Sequence, residues 1–118
     1  MRFISIFTHE ATNVPPTEAE MASMGKLVEQ GMKSGWLIAT EGVHFGEVGV
    51  RVRRSAGGEV TVKDGPFSEA KEVIGGYALL QGDSKAQMVE LTRQFLETIG
   101  HGTCEIYQLY EMPAGPPR

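Results

Sequence analysis

Stretches of strict alternation, two longer stretches of three-to-four-residue spacing, and glycine-rich punctuation divide this chain into eight segments. Arg2 to Thr8 (RFISIFT) reads as a strand with Phe3, Ser5 and Phe7 on one face and Ile4 and Ile6 on the other. A polar loop, His9 to Pro16, leads to Thr17-Glu18-Ala19-Glu20, which has capping-box spacing. Met21, Met24, Leu27, Val28 and Met32 then form one apolar stripe, which predicts a helix to about Ser34. Gly31 weakens its last turn, and Gly35 suits the position just past its end. Trp36 to Thr40 is a second strand. Val48, Val50 and Val52 alternate with Gly49, Arg51 and Arg53, Ser55-Ala56-Gly57-Gly58 turns, and Glu59 to Val62 returns as the partner of a hairpin.

Val73 to Gln81 is the longest apolar run and predicts a central strand, in which Gly75-Gly76 points to a bulge or a close backbone approach. Ser84 with Gln87 makes a second capping box, followed by a stripe of Met88, Leu91, Phe95, Leu96 and Ile99 that ends at Gly100. Cys104 to Glu111 is the last strand. One domain over residues 1–112 is expected, with a disordered tail at 113–118.

The resulting order is βαββαβ with a hairpin inserted, an α+β, ferredoxin-like pattern in which two helices cover one face of an antiparallel sheet. Strands 2–8, 73–81 and 104–111 carry apolar side chains on both faces, and two helices cover only one. A second copy of the same sheet is the simplest cover for the other face, so a homodimer through the sheet is expected.

Composition narrows the partners. With 41% hydrophobic and 22% charged residues, the chain is expected to be globular. Net charge is -4, and the one basic cluster, Arg51, Arg53 and Arg54, is too small for a nucleic-acid surface. No signal core or bilayer-length apolar run appears, and the single Cys104 forbids an internal disulfide. A cytoplasmic protein that contacts neither membrane nor nucleic acid is expected. No His-x-x-x-His or Cys-x-x-Cys pair, phosphate-cradling loop or nucleophile elbow occurs, so no metal or cofactor is expected.

Lys63 to Leu80 joins the hairpin to the long strand. Asp64-Gly65-Pro66 punctuates sharply, because Gly tolerates positive φ, Pro removes a donor and Asp can bond its own turn. The string DGPFSEAKEVIGGYALL resembles the signature of DGPF proteins, a branch of the YCII-related family. That resemblance implies a dimeric α+β barrel, and it makes an Asp–His catalytic pair worth weighing.

Asp64 is the leading acid/base candidate, with capping of its own turn as the plain alternative. His44, after the second strand, is the candidate partner, and His9, after the first, a weaker one placed with the binding residues. DGPF proteins often carry other residues at both positions. Glu41 ends a strand and could face the same cleft. Arg51 would suit a carboxylate ligand, and Lys71 and Glu72 abut the apolar strand. Phe67 and Tyr77 could line a pocket. For each, a solvated charge or a core aromatic explains the residue as well. His101 sits in a glycine-flanked turn and is expected to face solvent.

Three functions follow. One is a cofactor-independent lyase, isomerase or dehalogenase-like enzyme working through Asp64. The second is a non-catalytic ligand-binding or regulatory module; DGPF proteins are considered accessory to sigma factors. The third, a purely structural dimer, leaves the charged loop after Asp64 without a role.

Overall fold

The computed structural model describes residues 1–10, 16–43, 49–65 and 72–111. Its elements follow in the order β1 (Arg2–Glu10), α1 (Glu18–Ser34), β2 (Leu37–Gly42), β3 (Val50–Arg54), β4 (Val60–Asp64), β5 (Glu72–Gln81), α2 (Lys85–Ile99) and β6 (Thr103–Gln108). The expected tail at 113–118 lies outside the described residues. Strands β2, β5, β1 and β6 form an antiparallel sheet in that order, and β3 pairs with β4 as a separate ribbon. The fold is α+β and ferredoxin-like, with the ribbon inserted between β2 and β5.

Both helices start on the expected caps. The Thr17 hydroxyl accepts from the Glu20 backbone N–H at 3.1 Å, and the Ser84 hydroxyl from that of Gln87 at 3.2 Å. Gln87 reaches one residue further back than a capping box requires and accepts from the Asp83 N–H. Gly35, at φ 84°, ends α1 in the left-handed conformation. No helix among the described residues is long and apolar enough to cross a membrane.

The helices share one face of the sheet. Phe3 lies opposite Leu80, and Leu80 opposite Leu37, and these three close with Met88 of α2 into a buried core. Val28, Trp36, Leu91 and Ile106 pack around it. Gly31 allows this, because a Cβ there would stand 2.8 Å from the Trp36 indole and 2.9 Å from the Leu37 Cβ. Met21 and Met32, read from the sequence as part of the apolar stripe, are exposed instead. They lie toward the two ends of α1.

The opposite sheet face has no helix. Register places Ile4, Ile6, Tyr77, Leu79 and Tyr107 on it, half-buried to exposed. The ribbon is bare on both faces, each of its residues being exposed.

Candidate functional site

Two glycines shape the place where a site can form. The register of β1 against β5 slips between Phe7 and Thr8, so that Gly76 faces Phe7, Ile74 faces Thr8, and Gly75 is the extra residue of a bulge. A Cβ on Gly76 would stand 2.8 Å from the Glu41 carbonyl oxygen. One on Gly75 would stand 2.7 Å from the His9 ring and 2.8 Å from that of Phe7. Bare backbone therefore lets β2 approach on one side and two rings lie down on the other. Phe7 meets Phe95 of α2 edge-on at 5.4 Å and His9 at 5.5 Å.

Beside these glycines a cleft of about 360 Å³ opens between the sheet and the helices. Phe7, Met24, Leu27, Trp36, Leu91 and Phe95 give it apolar walls, and Ser5, Thr40 and Thr92 supply hydroxyls. The Thr40 hydroxyl is already engaged, donating to the Tyr77 carbonyl at 2.8 Å. Glu41, Gly42, Gly75 and Gly76 stand at the bulge end. A space this apolar with few hydroxyls suits a small hydrophobic molecule.

Of the candidates read from the sequence, the structure joins Glu41 and Tyr77. They are cross-strand partners, and the Tyr77 phenol donates to the Glu41 carboxylate at 3.2 Å. That hydrogen bond, and then the carboxylate charge, raise the Tyr77 pKa above its ordinary 10.0. The retained proton stabilises the folded chain fully below the ordinary phenol value, and this contribution is lost as pH rises through the raised folded value. Alkaline absorbance titration in a Tyr107→Phe background, where Tyr77 and Tyr110 remain, should show a lower midpoint for one phenol when Glu41 becomes Gln. An unmoved midpoint would refute the pairing.

His9 extends from β1 beside Phe7 and Gly75, its Nδ1 2.7 Å from the Glu10 carbonyl oxygen, to which it donates when that nitrogen carries the hydrogen. Glu72 opens β5 opposite Glu10. Asp64 ends β4 opposite Val50 on the ribbon and is exposed, with no hydrogen bond or ion pair among the described residues. Arg51 lies on the other ribbon face, opposite Lys63. His44, Phe67 and Lys71 lie outside the described residues. Asp64 and Arg51 do not line the cleft; Glu41 and Tyr77 border it, but strand alternation turns their side chains, and the hydrogen bond between them, to the open face of the sheet. His101 is exposed, as its glycine-flanked turn leads one to expect.

Trp36, Phe95, Thr40 and Thr92 line the cleft and were not singled out from the sequence as site residues. One signal did point to Trp36: a glycine within the last turn of an otherwise apolar helical stripe marks a close approach. Cys104 faces α2 on the helix-covered side, opposite Phe7, and burial raises its thiol pKa while a Ser5 hydrogen bond opposes the shift. That shift favours the protonated thiol over the nucleophilic thiolate. Among the described residues, no group of three or more His, Cys, Asp or Glu side chains could hold a metal ion.

The family model for the YCII-related domain matches residues 1–113, through both helices and all six strands. The chain belongs to the YCII-related family. No curated protein matches it. As a YCII-related protein it has a family and a fold, while its cleft is the feature on which a function can be built.

Proposed function

We propose that this YCII-related protein is a homodimeric binding module for a small, mainly apolar molecule held between the sheet and the helices. The cleft carries this reading: a volume of about 360 Å³ with apolar walls and the hydroxyls of Ser5, Thr40 and Thr92. The alternative, an enzyme using Asp64 as general acid/base, needs a sheltered carboxyl beside a second titratable group. The exposure of Asp64 on the ribbon favours binding over that chemistry. The uncovered apolar face of the sheet supports a second copy packed there. A cytoplasmic setting fits the single cysteine, Cys104.

Trp36 is the single tryptophan and lines the cleft, so its fluorescence reads occupancy directly. Anilinonaphthalene sulfonate, titrated with energy transfer from Trp36 as the signal, should bind and be displaced by small aromatic acids. Met24→Arg, which puts a charge into the cleft, should weaken binding about tenfold or more. Asp64→Asn should bind as the wild type does. Equal binding by Met24→Arg would remove the cleft from the proposal, and loss of binding in Asp64→Asn would restore the acid/base reading.

A further inference from the structure

The ribbon formed by β3 and β4 has one face whose chemistry is specified and whose cover is missing. Val52 lies opposite Val62, Val50 opposite Asp64 and Arg54 opposite Val60, and directly opposed residues share a face. Val50, Val52, Val60 and Val62 therefore form one apolar patch, with Asp64 at its base and Arg54 at its tip. Arg51, Arg53, Thr61 and Lys63 occupy the other face, which belongs in water. Yet the four valines are 55%, 65%, 57% and 66% exposed. A two-stranded ribbon alone is marginal in water, and four valines on one side of it call for a facing layer.

We propose that this valine face packs against the same face of a second copy, tip over base, to form a four-stranded sandwich of two ribbons. The placement of charge selects this arrangement. A two-fold axis between facing ribbons can run along the strands or across them. Along the strands, tip covers tip, which gathers both Arg54 side chains at one end and both Asp64 at the other. Across the strands, tip covers base, and each end then holds Arg54 of one ribbon with the partner's Asp64. The first arrangement sets like charges together beside an apolar layer, and the second pairs opposite ones twice.

The ribbon and the four-stranded sheet are separate sheets, so a contact through the valine face and one through the open sheet face can coexist. This surface goes beyond the sheet-face dimer and does not depend on it.

Light scattering over a micromolar dilution series tests both surfaces separately, with circular dichroism checking that each variant is folded. Val52→Glu is expected to remove one association step, raising its dissociation constant about a hundredfold or more. Arg54→Asp and Asp64→Arg should each weaken the same step about tenfold or more, and the double exchange should restore it. Tyr107→Arg, on the open sheet face, should remove a different step and leave the ribbon step intact. If Val52→Glu keeps the wild-type mass throughout, or the double exchange is as weak as the single changes, the ribbon contact is wrong. If only Tyr107→Arg is silent, the sheet-face dimer fails and the ribbon contact stands.

Discussion

Met88→Ala is expected to destabilise the chain by about 3 kcal/mol, lowering the melting temperature by about 10 °C or more. Met88 is the one fully buried side chain among the described residues, at 0% exposure, and it closes a core otherwise made by Phe3, Leu37 and Leu80. Truncation removes transfer energy and leaves a void that a sheet on one side and a helix on the other cannot collapse. So small a core gives the loss unusual weight, since total stability is about 5–15 kcal/mol for most proteins. Thermal melts and urea titrations measure it. A loss below about 1 kcal/mol would mean that assembly, not this core, holds the subunit together.

Gly76→Val is the second large effect, expected at about 3 kcal/mol. A Cβ there would meet the Glu41 carbonyl oxygen at 2.8 Å, and that atom is backbone, unable to swing aside. The substitution must push β2 away from β5 or break the ladder beside it, where Val43 N–H donates to the Gly75 carbonyl. Hydrogen exchange should show β2 amides opening first while β1 and β6 stay protected. Unchanged protection in β2 would show that the strands do not approach this closely.

Most of the architecture was legible because local chemistry fixes boundaries independently of tertiary contacts. Thr17 and Ser84 cap as their spacing requires, Gly35 and Gly100 stand just past the helix ends, and Gly75-Gly76 marks a real bulge. Periodicity also assigned Phe3 and Ile4 to opposite faces of β1. It could not say which face the helices would cover, nor that the ribbon would stand apart from the main sheet. The site was less legible for the same reason. Asp64 follows the punctuation of a turn, and a turn tells nothing of what lies across from it. The cleft draws instead on Ser5, Met24, Thr40 and Phe95, from four elements whose meeting is a tertiary fact. Even the pairing of Glu41 with Tyr77 depends on a register that contains a slip in each of the two strand pairs beside it.

The central pairing of β1 with β5 also governs how the chain acquires its shape. Arg2 finds its partner in Gln81, far along the chain, and both neighbours of β1 in the sheet, β5 and β6, come from the second half of the sequence. During synthesis the first strand must therefore wait, with Phe3, Ile4 and Ile6 unpaired, until β5 has emerged. The contacts within helix α1 and within the β3–β4 ribbon are local and impose no such wait. Folding should accordingly be slow for a domain of this size, and the waiting strand is where aggregation would begin.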